Sequence, residues 1–246
     1  MYVLLFLSIL TTSIVGYVHE AQEDAVINGD IVDISDFPFY ALLVYADTNS
    51  QLCGSSIISS KVLLTAAHCV DGDDEIAAYV GVSSLDDLDD HQALKVKETI
   101  MHKDYDMFSS GVFDIALVKL KKKIKFSPTV QSIALGTGNP VIGDEVTLIG
   151  FGATSCLPGT RYCSRSEHLR KTETEVRGYG EENSIESSGN NTNVCYGDSG
   201  GPMIYEGKVV GVAATVDFAG CMSGGNTYTS VYQNLDWIKK QGNLKS

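Results

Sequence analysis

Residues 192–203 read TNVCYGDSGGPM and place one serine, Ser199, between an aspartate and two glycines. A serine hydroxyl is a weak nucleophile near neutral pH unless an adjacent base removes its proton, and a third group must orient that base. The stretch therefore has two interpretations, either a glycine-rich turn that contains a serine by chance or the nucleophile of an enzyme. Residues elsewhere in the chain decide between the two.

Two other residues supply the base and the orienting acid that such a nucleophile needs. His68 lies in LLTAAHCV, behind an apolar run and next to a cysteine. Asp114 begins the stretch DIALVKL, where a carboxylate is either buried with a partner or lies at the mouth of a strand. Each residue taken alone is more often structural than catalytic, so the hypothesis of a triad depends on all three.

One competing hydrolase fold is excluded by residue order. The letters GDSGG also match the Gly-x-Ser-x-Gly pattern of α/β-hydrolases. In that fold the catalytic histidine follows the serine along the chain, whereas the last histidine here is His168. An α/β-hydrolase is therefore not expected.

The distribution of apolar residues indicates an all-β protein. From Val26 to about Trp237, short β-branched runs such as Ser56–Leu64 and Ala116–Leu120 are separated by Gly, Asn, Asp and Pro. This spacing is typical of an antiparallel barrel or sandwich and not of alternating βαβ units. The last apolar period, at residues 231–244, predicts one C-terminal helix.

Four motifs together resemble those of the chymotrypsin-like (trypsin-type) serine peptidases, over nearly all of the chain from Val26 to Trp237. In chain order they are VING at 26–29, TAAHC at 65–69, DIAL at 114–117 and GDSGGP at 197–202, followed by a terminal LDWI. Any one motif is a weak signal, but four in the order of the family are specific. The resemblance implies two six-stranded antiparallel β-barrels, a C-terminal helix and a catalytic triad between the barrels.

The resemblance also implies a role for each candidate residue. Ser199 would attack the scissile carbonyl, His68 would act as general base and then as general acid, and Asp114 would hold the tautomer of His68. The backbone N–H groups of Gly197 and Ser199 would form the oxyanion hole, since a residue without Cβ lets the chain turn both amides toward the developing charge. The expected activity is that of a serine endopeptidase with no cofactor and no metal.

The N-terminal residues predict a secreted, extracellular protein. Residues 1–16 form an isolated apolar run with small residues near its end, which predicts a signal peptide, with a buried first strand as the alternative. Residues 17–25 are acidic and have no apolar period, so they predict an activation propeptide. The peptidase domain is then expected at 26–246.

Activation is expected to occur by cleavage before Val26. By the resemblance, the new ammonium group of Val26 pairs with the buried carboxylate of Asp198 once the propeptide has been removed. Residues 1–60 contain no Lys or Arg, so a trypsin-like activator cannot release this end. The cut after Ala25 requires an activator that accepts small side chains, with the enzyme itself as one candidate.

The primary pocket departs from the trypsin pattern. Asn193 lies six residues before Ser199, where trypsin-like relatives have an aspartate, so no fixed charge meets a substrate Arg or Lys. Val216 and Asn226 align with the two glycines of open-pocket relatives, so side chains fill the pocket. We expect an elastase-like preference for small aliphatic residues on the acyl side, with a chymotrypsin-like preference for larger apolar residues as the alternative.

Other departures bear on whether the protein turns over substrate. Ala214 and Thr215 stand where the family usually has Ser-Trp, whose serine hydrogen-bonds the triad carboxylate. The segment between Val176 and Asn193 is short and lacks the usual cysteine-closed loop, and Tyr196 is expected near the pocket entrance. A catalytically weak homologue that binds partners or competes for substrates is therefore the second hypothesis.

Six cysteines in a secreted chain predict three disulfides, and six cysteines allow fifteen pairings. The resemblance implies the bridges Cys53–Cys69 and Cys195–Cys221. Cys156 and Cys163 have no counterpart in the family, lie in one Gly/Pro loop and most simply pair with each other. The sequence shows no His/Cys cluster with the ligand spacing of a metal site.

The net charge of −13 argues against nucleic acids and anionic membranes as partners. The expected partners are protein or peptide substrates and protein inhibitors of proteases, and the protein is expected to be a monomer.

Three further sequence features have their own interpretations. LDDLDDH at 85–91 is interpreted as a solvated acidic loop, with a Ca²⁺ site as the alternative. KLKKKIK at 119–125 is interpreted as a strand or its edge, with a binding patch as the alternative. Asn190 begins an Asn-x-Thr sequon and is a candidate glycosylation site.

Overall fold

The computed structural model describes residues 29–107, 113–156, 163–188, 194–216 and 225–244. The predicted signal peptide, propeptide and Asn190 sequon lie outside these ranges. Within the ranges, the chain forms sixteen strands, one α-helix and two 3-10 helices, at Leu85–Asp90 and Glu181–Asn183. The strands and the α-helix are β1 (Asp30–Ile31), β2 (Tyr40–Tyr45), β3 (Gln51–Ser59), β4 (Val62–Thr65), β5 (Ile76–Val80), β6 (Leu94–Met101), β7 (Ala116–Leu120), β8 (Ala134–Leu135), β9 (Glu145–Gly150), β10 (Ala153–Cys156), β11 (Cys163–Arg165), β12 (Arg170–Tyr179), β13 (Ile185–Ser188), β14 (Pro202–Tyr205), β15 (Lys208–Val216), β16 (Asn226–Ser230) and α1 (Leu235–Gly242).

Strands β2 to β7 close the first barrel in the order β2-β3-β4-β7-β6-β5 and back to β2, and every pairing is antiparallel. The run Ala116–Leu120 is the strand β7, as its pattern predicts. The run Ser56–Leu64 is not one strand but the hairpin of β3 and β4, with Ser56 opposite Leu64. Ile57 and Ile58 in one arm and residues 62–64 in the other are apolar, and only Ser60 and Lys61 separate the two strands, so the turn barely interrupts the apolar pattern.

Six further strands close the second barrel in the order β9-β12-β13-β16-β15-β14 and back to β9, again with antiparallel pairings throughout. Strand β1 pairs with β12 at the side of this barrel, and β8 pairs in parallel with β15. The expectation of two six-stranded antiparallel barrels is confirmed.

Aliphatic side chains fill both barrels. Leu43, Leu63 and Leu117 are fully buried in the first barrel, and Leu148 and Val176 in the second. Burial of each such side chain stabilises the fold by about 1.5–3 kcal/mol. These rigid interiors hold the loops at the barrel ends, where the candidate functional residues lie.

The C-terminal helix is confirmed but is shorter than the apolar period suggests. Residues 231–234 form a turn, and α1 begins at Leu235. Asn243 ends the helix in the left-handed conformation, with φ of 50°, and its N–H donates to the last helical carbonyls. Ile238 is fully buried and anchors the helix to the core. No helix of the described chain is both long enough and apolar enough to cross a membrane.

Residues 85–90 of the acidic stretch form a 3-10 helix rather than an irregular loop, and His91 follows the helix in an extended conformation. Ser84 caps it by accepting a hydrogen bond from the N–H of Asp86 at 3.2 Å. Leu88 is buried, whereas the four aspartates are exposed. Their exposure supports the interpretation as a solvated acidic segment.

The disulfide predicted between Cys53 and Cys69 is confirmed, with Cα atoms 6.1 Å apart. Cys163 and Cys195 are also disulfide-bonded, but their partners are not among the described side chains. The backbones of Cys156 and Cys163 are opposite each other in the β10–β11 pair. The pairings Cys156–Cys163 and Cys195–Cys221 remain predictions.

Candidate active site

The three candidate catalytic residues lie on loops from both barrels that hydrogen bonds and a disulfide bring together. His68 follows β4, Asp114 precedes β7 and Ser199 precedes β14. The N–H of Gly54 in β3 donates to the carbonyl of Ser199 at 2.8 Å, which attaches the serine loop to the first barrel. The neighbour of Gly54, Cys53, is bridged to the residue next to His68. Ser199 and His68 are therefore fixed to the same strand.

His68 and Asp114 form a close pair. His68 Nδ1 lies 2.6 Å from Asp114 Oδ2, and the backbone N–H of His68 donates to Asp114 Oδ1 at 2.9 Å. The Asp114 residue is 2% exposed, whereas the side chain of His68 is 34% exposed. A carboxylate in this position keeps the proton of neutral imidazole on Nδ1 and leaves the lone pair on Nε2. The basic nitrogen of the pair is therefore Nε2, on the side of the ring that faces away from the carboxylate.

An aromatic cluster holds the backbone in front of Asp114. Phe113 has a φ of 58°, in the left-handed region that a bulky residue rarely occupies. Its ring stacks on His102 at 4.7 Å between centroids and 8° between planes, and His102 also contacts Trp237 at 5.0 Å. Burial lowers the pKa of His102, which favours the neutral ring in this stack. We infer that the cluster stabilises the turn that delivers Asp114.

Ser199 is half-buried, and among the hydrogen bonds of the described residues none joins its hydroxyl to His68. His68 Nε2 instead lies 3.7 Å from Cys69 Sγ. Catalytic hydrogen bonds are often long or poorly aligned without substrate and tighten in the complex. The sulfur atoms beside His68 belong to the Cys53–Cys69 disulfide, so they are not thiolates and this cluster does not suit a metal ion.

Two backbone amides in the serine loop are available as hydrogen-bond donors. The carbonyl of Tyr196 accepts from Ala153 at 2.8 Å, and the carbonyl of Asp198 accepts from Gly201 at 2.9 Å. In a trans peptide the N–H points opposite to the C=O, so the N–H groups of Gly197 and Ser199 point away from these partners. Within the described residues neither N–H donates a hydrogen bond.

Glycine at 197 is required by this turn. Gly197 has a φ of 101°, and an added Cβ would lie 2.8 Å from Gln51 Nε2. The Gln51 side chain donates through Nε2 to the Gly197 carbonyl at 3.1 Å and so fixes the orientation of the loop.

Asp198 is a buried carboxylate next to the candidate nucleophile. The residue is 1% exposed and accepts hydrogen bonds from the N–H groups of Cys195 at 2.9 Å and Gly152 at 2.8 Å. Burial raises the pKa of Asp198 to about 7, against the opposing effect of these two hydrogen bonds. A Cβ at Gly150 or Gly152 would collide with this carboxylate, so both glycines are needed for its approach. Val26, its predicted partner, lies outside the described residues.

The structure brings together the two pocket residues that it describes. The backbones of Val216 and Asn226 are directly opposite in the β15–β16 pair, and Ser187 is opposite Asn226 on the other side. Asn226 is 1% exposed, and Ala214 is also buried. The third predicted residue, Asn193, lies outside the described part of the chain. Tyr196 is exposed.

Sequence reasoning missed several residues that support the site. Gln51 lies 146 positions from the glycine that it holds, and Thr229 Oγ1 donates to the Asp114 carbonyl from 115 positions away. No local motif in one sequence signals such contacts. Among these supporting residues, only Gly150 and Gly152 form a pattern that is visible in the sequence. A Gly-x-Gly pattern occurs in many kinds of turn, so it does not predict that these glycines make room for Asp198.

Comparison with known proteins gives one family. A family model described as Trypsin matches residues 26–238. The chain is 27% identical over 223 residues to trypsin beta of Drosophila erecta, with 87% of each chain covered. It is also 27% identical over 220 residues to brachyurin of Leptuca pugilator, with 84% of this chain and 94% of that protein covered.

A solved structure gives the same fold. The chain superposes with a TM-score of 0.77 on neuropsin, a serine protease expressed in the limbic system of mouse brain. The identity is 22%, and the match covers 88% of this chain and 99% of that one.

Proposed function

The chain belongs to the trypsin family of serine peptidases, and on that basis we propose that Ser199, His68 and Asp114 are the catalytic triad of a secreted endopeptidase. The observation that carries the proposal is the short His68–Asp114 pair, which joins a buried carboxylate to a partly exposed imidazole. The substrates of such an enzyme are proteins or peptides. We further propose that it acts as a monomer and that protein inhibitors compete for its cleft.

The proposed reaction proceeds through an acyl-enzyme. His68 Nε2 takes the proton of Ser199 Oγ as the oxygen attacks the scissile carbonyl, and the charge of Asp114 stabilises the imidazolium that forms. His68 then gives the proton to the leaving amine, which breaks the C–N bond. A water molecule repeats the sequence on the ester, releasing the acid and restoring the serine.

The oxyanion hole is assigned to the N–H groups of Gly197 and Ser199. Their orientation away from the anchored carbonyls, and their lack of other partners within the described chain, support this assignment. Donors held in advance by the fold need no reorganisation as the negative charge develops, and loss of one such donor typically costs about 10²- to 10³-fold in kcat.

Activation is assigned to a new ammonium group at Val26 that pairs with Asp198. The burial of this carboxylate, which raises its pKa to about 7, supports a cationic partner, because the charged form is costly in the interior without one. Residues 1–16 act as signal peptide and 17–25 as propeptide in this scheme, with the activating cut after Ala25. If the cut is autocatalytic, Ser199→Ala protein stays unprocessed; normal processing of that variant would assign the cut to another protease.

The primary specificity is proposed to be for small aliphatic residues on the acyl side. The backbones of Val216 and Asn226 are opposite each other at the ends of their strands, which supports their assignment to one pocket. A peptide library varied at the acyl-side residue tests this, with Ala and Val expected to be preferred. Efficient cutting after Arg or Lys would overturn the pocket assignment and leave the mechanism intact.

A catalytically weak homologue is the second candidate, favoured by the buried Ala214. This residue has no hydroxyl to donate to Asp114, and the described contacts to the Asp114 carboxylate come from His68. The two candidates differ in turnover. Protein that starts at Val26 should hydrolyse peptide substrates, and Ser199→Ala should lower kcat/KM by about 10⁴- to 10⁶-fold. Ser35→Ala, at an exposed serine, is the matched control and should leave kcat/KM unchanged.

A further inference from the structure

A lysine-rimmed cleft on the first barrel takes no part in the site described above. Its volume is about 560 Å³, and it lies between the start of β6 and the segment that follows β7. Five exposed lysines form its rim, namely Lys95, Lys121, Lys122, Lys123 and Lys125. All of these lysines except Lys95 belong to the KLKKKIK stretch at 119–125.

No rim lysine forms an ion pair with a carboxylate of the described residues, although three carboxylates line an adjoining groove together with Lys95 and Lys121. Nearby on the same sheet, Lys97 and Lys119 both pair with Glu98, at 3.7 Å and 3.4 Å. In contrast, the ion pairs of the described residues include none of the five rim lysines. Because the whole chain has 31 acidic and only 18 basic residues, this concentration of positive charge is a departure from its surroundings. Such a patch attracts anionic partners.

The barrel fixes the backbone of the rim and supplies an apolar floor. The N–H of Lys121 donates to the carbonyl of Lys95 at 2.9 Å, and the N–H of Ile124 donates to Ser60 at 2.7 Å. Ile124 is buried, and with Leu94 it lines the base of the cleft together with two smaller apolar residues. The cleft therefore combines a cationic rim with a floor that excludes charge.

We propose that this cleft binds an acidic polypeptide segment that carries an apolar side chain among its carboxylates. The carboxylates meet the lysines, and the apolar side chain covers the floor. A sulfated polysaccharide or a nucleic acid would satisfy the rim but leave the floor open to water, so the combination favours a polypeptide.

The cleft and Asp114 lie at opposite ends of β7. Asp114 precedes β7 and Lys121 follows it, and seven residues of extended chain span about 23 Å. A protein partner that places its acidic segment here could present a second segment to Ser199. This consequence rests on the proposed function, whereas binding to the cleft does not.

Binding is tested with Ser199→Ala protein, which keeps the assay independent of peptidase activity. A fluorescein-labelled peptide Glu-Glu-Leu-Glu-Glu-Phe-Glu-Glu is titrated by fluorescence anisotropy in 50 mM NaCl. Replacement of each lysine at Lys121–Lys123 by Glu should weaken binding by about tenfold or more, since several screened charge pairs are lost together. Replacement of the same lysines by Arg should retain binding. The control variant replaces Lys239 and Lys240 on α1 by Glu. It changes the net charge by four units, against six for the cleft variant, but at a site away from the cleft. It should change Kd by less than about twofold.

The peptide itself tests the floor without altering the fold. A peptide with Ser in place of Leu and Phe should bind about tenfold more weakly, because it leaves the apolar floor uncovered. Equal binding of the two peptides would overturn the proposal. A loss of binding in the α1 variant as large as that in the Lys121–Lys123 variant would also overturn it. Tighter binding of a sulfated oligosaccharide of the same charge would instead assign the cleft to a polyanion recognised by charge alone. Thermal unfolding of each variant confirms that the fold is retained.

Discussion

The buried carboxylate of Asp198 should make the free energy of unfolding of the proform depend on pH. The substitution Asp198→Asn removes this dependence and so measures it. Burial raises the pKa of Asp198 to about 7 in the fold, whereas its ordinary value is 3.8. Between these pH values the folded chain holds a proton that the unfolded chain has released. The contribution of this group to stability is therefore complete below about pH 4 and is lost as the pH rises to about 7.

The size of the effect follows from the difference between the two pKa values. A difference of about 3 pH units, at about 1.4 kcal/mol per unit, sets an upper limit of about 4 kcal/mol. Relaxation around the charge lowers this figure, so we expect about 2–4 kcal/mol. Asp198→Asn has no titrating group at this position. The free energy of unfolding of the wild type, minus that of the variant, should fall by this amount from pH 4 to pH 7 in the proform.

The assay is urea unfolding at pH 4, 5, 6 and 7, in a Ser199→Ala background that prevents self-digestion. Chains of residues 17–246 and 26–246 are compared, with Asp47→Asn at an exposed aspartate as the matched control. In the shorter chain, the Val26 ammonium should offset the buried charge, so the loss toward pH 7 should disappear or reverse. Parallel curves for wild type and Asp198→Asn in the longer chain would show that burial does not raise the pKa of Asp198. Identical behaviour of the two chain lengths would refute the ion pair.

Three further predictions concern single contacts. Gly152→Ala would place a Cβ on the buried carboxylate and should lower kcat/KM for peptide hydrolysis by about 100-fold, whereas Gly138→Ala, where a Cβ meets open space, should change it less than about twofold. Gln51→Leu removes the donor that orients the oxyanion loop, so steady-state kinetics should show kcat reduced by about tenfold with KM unchanged, and a change in KM alone would contradict the assignment. Replacement of Cys53 and Cys69 by Ala should lower the free energy of unfolding by about 2–4 kcal/mol in urea, and an unchanged unfolding midpoint would contradict a stabilising role.

The strands that are easy to predict from sequence are those with inward-facing aliphatic residues. β7 has this pattern and was predicted with its observed bounds. The ten-residue strand β12 was not predicted, although its residues alternate between buried and half-buried positions. Its inward positions include Arg170, Thr172 and Thr174, so the period of two is hidden by polar side chains. Arg170 is accommodated because its guanidinium donates to the Gly29 carbonyl at 2.8 Å, a contact that no local pattern reveals.

The residues of the candidate site also fall into two groups, those that local motifs predict and those that only the fold reveals. Its three central residues lie in short motifs, so the sequence alone predicts them, and the structure brings His68 and Asp114 into contact. The contacts that orient these residues join distant parts of the chain, such as Gln51 with Gly197, and become visible only in the fold. The left-handed turn at Phe113 was also unpredictable, because a phenylalanine argues against that conformation.

The net charge of the chain gives no indication of the lysine-rimmed cleft. A chain with a charge of −13 is acidic on average, and the KLKKKIK stretch was interpreted as a strand or its edge. That interpretation holds for Lys119 and Leu120, which end β7, but the next five residues all line the cleft. Local segregation of charge depends on which strands are neighbours, and the pairing of β6 with β7 brings Lys95 to the same place.

The central claim is that Ser199 is a nucleophile activated by His68 and Asp114. It is tested most directly by intact-protein mass spectrometry of the chain that starts at Val26, after incubation with a peptidyl phosphonate that has alanine at the acyl-side position. We expect one covalent adduct, located on Ser199 by peptide mapping, which is absent from Ser199→Ala and forms much more slowly in His68→Ala. A folded protein with no adduct, or an adduct that forms at the same rate without His68, would contradict it.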